Sequence, residues 1–170
     1  MSSRLGIPVI LFAILLLTPS LYGQNLKVGI VNTEKIYSGY LKAQETQKSF
    51  QAERKTKQDE LAKKQSELVN LKKEYEDKKS YLKENDKKEY DTKIANKEKE
   101  IKGFTQQTDK YLVQRNQTLV QERLKEILEV IGKFANENKY DLIIENKNIP
   151  YFSQVLDVSD KIIERLNSLK

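Results

Sequence analysis

Few side chains in this 170-residue sequence could carry out familiar enzyme chemistry, because it contains no histidine and no cysteine. Most familiar metal sites and the usual nucleophile–base pairs need one of these two residues. Carboxylate and lysine chemistry remains, but it would require a pocket, and charged residues make up 33 % of the chain. The composition therefore favours a protein that binds other molecules over an enzyme, and it implies neither a cofactor nor a metal.

Lysines and tyrosines lie close together near the middle of the chain. Residues 42–83 carry 12 basic and 8 acidic side chains, whereas residues 84–137 carry 11 of each. Aromatic rings among lysines can form an adhesive, amphipathic surface; ordinary packing of the rings between helices and solvation of the lysines is the alternative. The candidate contact residues are Tyr75, Lys78, Lys79, Tyr81, Leu82, Lys83, Lys87, Lys88 and Tyr90.

The region that would position these side chains, residues 41–137, is predicted to be helical. It contains no proline and has an apolar residue at every third or fourth position, which is typical of coiled coils. One seam comprises Leu61, Leu68, Leu71, Tyr75 and Leu82, a second Tyr90, Ile94, Ile101 and Phe104, and a third Val120, Leu124, Ile127, Ile131 and Phe134.

A change of helical phase predicts that this region folds back on itself. Apolar residues are absent from 84–88, and the step from Leu82 to Ile94 is about 120° from a whole number of turns. We therefore predict an antiparallel hairpin with its tip near 84–88; one continuous helix is the alternative. Gly103 within the returning helix is either a hinge or a tolerated defect.

The flanking segments, 24–40 and 138–170, predict a small β-containing body. Residues 26–32 and 140–144 are rich in β-branched residues and predict two strands. Residues 149–152 predict a third strand, which Pro150 would place at a sheet edge. Asn32 or Thr33 should cap a short helical turn, Asn138 should adopt a left-handed conformation after the long helix, and Asp157 or Ser159 should cap a final helix.

Three short strands make a poor sheet alone, which suggests that several copies share one core. The fold class is therefore mainly α, with a long antiparallel coiled-coil hairpin on a short-stranded body that several copies would share. The candidate body residues are Val28, Ile30, Val31, Leu142, Ile143, Ile144, Tyr151, Ile162, Ile163 and Leu166.

The N-terminus has the pattern of a secretory signal peptide. Arg4 precedes an apolar run at 7–17, followed by a short segment ending at Gly23. We expect cleavage after Gly23, which leaves 24–170 as a single mature unit; retention as an anchor is the alternative. The apolar run is shorter than the ~20 residues that a spanning helix needs.

The mature chain resembles the Skp/OmpH-like family of periplasmic chaperones. The resemblance rests on the order of the parts and on VGIVN at 28–32, YDLII at 140–144, Tyr151, DVSDKII at 157–163 and Leu166-Asn167. Pro150 departs from the family, which usually has a small or aliphatic residue there. No motif here aligns with the basic residues that are proposed to contact lipopolysaccharide in the family.

The resemblance implies a periplasmic homotrimer in which three hairpins surround a cavity that holds an unfolded outer-membrane protein without ATP. The basic arms would also attract an anionic membrane or lipopolysaccharide surface. A structural coiled-coil spacer of the cell envelope is the competing hypothesis. A polyanion binder is a further one, but the near balance of lysine and glutamate argues against nucleic acid as a partner.

Overall fold

The computed structural model describes residues 26–169, so the predicted signal peptide at 1–23 lies outside the described residues. Two short strands pair in parallel: β1 (Val28–Val31) and β2 (Leu142–Glu145), with Val28 opposite Leu142 and Val31 opposite Glu145. Parallel strands require a long crossover connection. Here the crossover is the entire helical region between them, and both of these strands were predicted from β-branched content.

A short helix, α1 (Thr33–Gly39), follows β1 directly. The side chain of Asn32 accepts a hydrogen bond from the backbone N–H of Lys35 at 2.9 Å, which confirms Asn32 as its cap. A side chain on Gly39 would lie 2.8 Å from Cδ1 of Ile163. Glycine at the end of α1 therefore allows the chain to pass close to the last helix before it turns into the arm.

Two long helices form the predicted antiparallel hairpin: α2 (Leu41–Lys78) and α3 (Glu84–Glu137). Their lengths correspond to about 57 Å and 81 Å. We refer to the paired part of these helices as the arm. The hairpin is confirmed over the single continuous helix, since Tyr75 of α2 stacks on Tyr90 of α3 with ring centroids 5.2 Å apart.

The tip of the arm lies at 79–83, earlier than the predicted 84–88. Lys83 has extended backbone angles, and α3 begins at Glu84. The apolar gap at 84–88 is instead the first turn of α3, where Glu84 and Asp86 interact favourably with the helix dipole. The prediction was wrong because an exposed first turn lacks apolar residues in the same way as a loop does.

The left-handed residue after α3 is Lys139, with φ of 55°, and not Asn138 as predicted. Asn138 contributes in another way, because its side-chain amide donates to the carbonyl of Phe134 at 2.8 Å. The carbonyl of Ala135 accepts the N–H of Tyr140 at 2.9 Å. The last carbonyls of α3 are thus satisfied as the chain turns towards β2.

The predicted third strand at 149–152 does not form. Two 3-10 turns, Asn146–Asn148 and Gln154–Leu156, flank this segment, and residues 149–153 have no regular structure. Pro150 has no N–H to donate to a ladder, and the N–H of Ile149 closes the first turn onto Asn146. A single parallel bridge between Ile30 and Asp157 takes the place of the strand.

The final helix, α4 (Ser159–Ser168), packs against α1 and the end of α3. Neither predicted residue is its N-cap: that position is Val158, whose side chain makes no capping bond, although Asp157 Oδ1 accepts the N–H of Ser159 at 2.8 Å. The core at this junction comprises Val31, Ile36, Tyr40, Ala43, Ile127, Val130, Phe134, Val158, Ile162 and Leu166.

Among residues 26–169, no helix combines the length and apolar character that crossing a membrane requires.

Candidate functional site

One edge of the body presents apolar side chains to solvent. On the inner side of β1, the N–H of Val158 donates to the carbonyl of Ile30 at 2.9 Å, so β1 is flanked on both sides. No strand of the described chain pairs with the outer edge of β2. We call the exposed apolar residues of β2, Leu142 and Ile144, the body edge; Tyr151 and Val155 are also exposed, but they lie on the segment that leads to the bridge between Asp157 and β1.

The predicted body residues separate into two groups. Ile30, Val31, Ile162 and Leu166 are buried within this single chain, and Val28, Ile143 and Ile163 are half-buried. These seven residues hold the body together. Leu142, Ile144 and Tyr151 are exposed, so they are the predicted residues that are positioned to contact another molecule.

A polar cluster fixes the arm where it leaves the body. The hydroxyl of Tyr40 donates to Glu126 at 2.9 Å, Lys42 pairs with the same carboxylate at 2.8 Å, and Arg123 Nη1 lies 3.2 Å from it. Burial and the bond to Glu126 raise the pKa of Tyr40 to about 12. Burial opposes ionisation of Glu126, but the bonds from Lys42 and Tyr40 outweigh it and lower the pKa of this carboxyl group.

Further along the arm, polar contacts connect the two helices. Lys72 pairs with Glu98 at 2.6 Å, Lys97 pairs with Glu67 at 2.6 Å, and the hydroxyl of Tyr111 donates to Glu53. The seam residues Leu61, Leu68, Leu71, Ile94, Ile101 and Phe104 are only half-buried. The arm is therefore a largely hydrated pair of helices, whereas its junction with the body is a dry core.

The aromatic residues near the tip occupy different environments. Tyr75 is 8 % exposed and packs with half-buried Tyr90 between the helices, whereas Tyr81 in the turn is 71 % exposed. Lys78 Nζ and the hydroxyl of Tyr90 donate to Glu74 Oε1 at 2.6 Å and 2.8 Å. These two hydrogen bonds lower the pKa of Glu74. Tyr75 and Tyr90 thus hold the hairpin together, and Tyr81 is the ring that faces solvent.

The predicted contact lysines also differ in their pairing. Lys78 and Lys79 are engaged by Glu74 and Glu76 within α2. Lys83, Lys87 and Lys88 form no ion pair with any residue of the described chain. Leu82 is half-buried in the turn. The basic surface of the tip therefore consists mainly of these three unpaired lysines beside Tyr81.

Sequence reasoning missed an open groove of about 610 Å³ in the shaft of the arm. It lies between residues 47–61 of α2 and 105–116 of α3, and we call it the shaft groove. The predicted seams begin only at Leu61 in the outgoing helix and skip from Phe104 to Val120 in the returning helix. This interruption of the apolar spacing was the sequence signal that could have indicated the groove. Within residues 26–169, no cluster of three or more potential metal-binding side chains is present.

Comparison with known proteins places the chain in a family. The model of the family described as outer membrane protein (OmpH-like) matches residues 27–166. The fold is similar to a crystal structure from Caulobacter crescentus CB15 that was solved as a candidate OmpH-like outer membrane chaperone. The TM-score is 0.79 at 14 % sequence identity, and the match covers 84 % of each chain. A search of curated proteins finds no significant match. Since the family match extends over most of the sequence, the chain belongs to the OmpH-like family.

Proposed function

We propose that this protein is a periplasmic chaperone that holds unfolded outer-membrane proteins without ATP. The observation that carries the proposal is the combination of a long, hydrated arm with a small body whose apolar edge is unpartnered. Family membership supports the same function. Weak contacts distributed over a long arm suit transient holding, because a client can be released without an energy source.

We further propose that three copies assemble through the body edge. Two paired strands form a sheet that is too small to be stable by itself, and Leu142 and Ile144 leave apolar surface in water. Packing of another copy against β2 would cover these side chains. Three arms would then project from one body and surround a space for the client.

The tip is proposed to approach anionic lipid headgroups. Tyr81 provides an exposed amphipathic ring, and Lys83, Lys87 and Lys88 provide positive charge beside it. The mature protein should therefore bind vesicles containing anionic lipid at low salt and be released at high salt. Binding that is unaffected by salt, or equal binding to neutral vesicles, would contradict this part of the proposal.

The main test uses the mature protein from Gln24. Its mass is measured by light scattering after size exclusion, and the same sample is mixed with a urea-unfolded outer-membrane β-barrel protein that is then diluted. We expect a trimer that keeps the β-barrel protein soluble at about one trimer per client. Bovine serum albumin at the same mass concentration controls for nonspecific suppression of aggregation.

A trimer that lets the client precipitate would contradict the chaperone proposal. It would favour the structural spacer of the envelope, which needs elongated arms but no affinity for unfolded protein. A dimer that still prevents precipitation would leave the chaperone proposal in place and overturn only the proposed number of copies.

A further inference from the structure

The shaft groove has an apolar floor that is not covered by the chain itself. Phe50, Leu61, Leu112 and Val113 line it. Phe50 is buried, Leu61 and Leu112 are half-buried, and Val113 is 58 % exposed. Solvent exposure of the floor thus increases from Phe50 to Val113. An apolar group entering from outside would displace water from Val113 and Leu112.

The groove exists because the apolar seam is interrupted on both helices at the same level. In α2, the ten residues between Phe50 and Leu61 include no apolar side chain larger than alanine. In α3, the facing residues 105–110 are all polar. At this level no large apolar side chains fill the space between the two helices, which leaves the open volume of about 610 Å³.

The rim of the groove carries uncharged hydrogen-bonding side chains. Gln51 and Gln58 lie on the α2 side, and Thr108 and Asn116 lie on the α3 side. Amide and hydroxyl side chains both donate and accept hydrogen bonds. Each peptide unit of an extended chain likewise offers one N–H and one C=O. The rim therefore matches the backbone of a polypeptide whose hydrogen bonds are not yet made.

The charge and length of the groove define its occupant further. Arg54 and Asp109 have opposite charges, and Lys57 is paired with Glu60 at 2.9 Å, so the lining is close to neutral although the outgoing helix is basic overall. The distance from Phe50 to Leu61 along α2 is about 17 Å. This length accommodates roughly five residues of extended chain.

We propose that the shaft groove binds a short, uncharged, extended segment of an unfolded polypeptide, with an apolar side chain directed at Leu112 and Val113. This inference rests on the proposed chaperone function and assigns its client contact to the shaft rather than to the tip. One arm would then hold a client locally, between its own two helices, in addition to any enclosure by several arms.

The experiment compares two exposed valines of the arm. Val113 lies in the groove, and Val69 on α2 is similarly exposed, at 63 %, but does not line it. A photoreactive benzoylphenylalanine is placed at each position in turn in the mature protein. The probe is a urea-unfolded outer-membrane β-barrel protein, which is diluted into the sample before irradiation. We expect strong crosslinking at position 113 and little at position 69.

Two serine variants give an affinity readout with less perturbation. Val113→Ser should weaken binding of the same β-barrel protein about tenfold, the factor expected when one buried aliphatic contact is lost. Val69→Ser should leave the affinity unchanged. Since both side chains are exposed on helices, neither variant should affect folding.

The outcomes separate this inference from the proposed function. Equal crosslinking at the two positions, or equal affinities of the two serine variants, would overturn the groove as the client site while the protein still prevents aggregation. A wild-type protein that neither crosslinks nor prevents aggregation would overturn the chaperone function and the groove together.

Discussion

Tyr40 shows how one side chain connects the arm to the body. Its ring lies in the core, and its hydroxyl reaches across to Glu126 of α3 at 2.9 Å. Lys42 and Arg123 converge on the same carboxylate. The charge of Glu126 is therefore compensated at the position where the two helices leave the dry core and enter the hydrated arm.

Replacing Tyr40 with phenylalanine tests the hydroxyl alone. At pH 7 we expect Tyr40→Phe to lower the free energy of unfolding by about 1–2 kcal/mol, since a bond to a charged acceptor is lost. The pKa of Tyr40 is raised to about 12 from the ordinary tyrosine value of 10.0. The unfolded chain thus releases this proton first, and the wild type should lose stability between about pH 10 and pH 12.

The variant has no such proton to release, so the difference between the two proteins should shrink over that pH range. Urea unfolding monitored by circular dichroism at several pH values would measure it. Tyr81→Phe, at an exposed position, is the control and should match the wild type at pH 7. If the difference in unfolding free energy between the wild type and Tyr40→Phe instead grows with pH, this interpretation is contradicted.

Single residues also mark the limit of what the sequence could predict. The cap of α1 was narrowed to Asn32 or Thr33 from the sequence, and Asn32 is the cap, because a capping side chain acts on a backbone group only three residues away. Heptad spacing placed Tyr75 on a seam and left Tyr81 off it, but both lie among lysines, so both were named as candidate contact residues although only Tyr81 is exposed. Their environments depend on the facing helix, which places Tyr90 against one ring and leaves the other in the turn.

At the scale of elements, α3 contains two glycines that have no packing role in the described chain. A side chain at Gly103 or at Gly132 would meet no atom within 4 Å. Glycine inside a helix is less favourable than alanine by roughly 0.5–1 kcal/mol. The structure thus gives no packing reason for glycine at either position, and α3 continues as a helix through both.

Gly103→Ala should accordingly raise the free energy of unfolding by about 0.5–1 kcal/mol and leave the suppression of client aggregation unchanged. Gly132→Ala should give a similar increase. Gly39→Ala is the contrasting variant, because its Cβ would lie 2.8 Å from Ile163 and should destabilise the protein. If Gly103→Ala gains stability but no longer prevents aggregation, position 103 is a functional hinge.

Local patterns predicted the elements more successfully than their ends. The hairpin followed from a phase shift between two apolar seams, and β1 and β2 followed from β-branched residues. The tip was predicted a few residues too late, because the exposed first turn of α3 has the composition of a loop. The missing strand at 149–152 shows that β-branched and aromatic residues alone are insufficient where proline removes a donor.

At the scale of the whole molecule, the body edge is apolar surface that a single chain leaves exposed and that an assembly would cover. The core at the junction of α1, α3 and α4 is complete within one chain, and this explains why Ile162 and Leu166 are buried although the sequence suggested them for assembly. Periodicity identifies residues that must be covered. It does not indicate whether the covering residue belongs to the same chain, and only the fold separates Leu142 from Ile162 in this respect.

Leu142→Arg tests assembly through the body edge. Leu142 is 50 % exposed in the single chain and would become buried between copies, so an arginine there would place an unpaired charge in the shared core. Such a charge costs several kcal/mol, and we expect the dissociation constant of the assembly to rise at least about a hundredfold. Light scattering over a dilution series should then show monomer where the wild type is trimeric.

Leu128→Arg is the matched control, because Leu128 is 64 % exposed on α3 and lies outside the body edge. It should keep the mass of the wild type, and circular dichroism should show the same helix content for both variants. If assembly creates the client-holding space, Leu142→Arg should also lose most of its suppression of aggregation. An unchanged mass would move the interface away from β2, whereas a monomer that still holds client would show that a single arm is sufficient, as binding in the shaft groove permits.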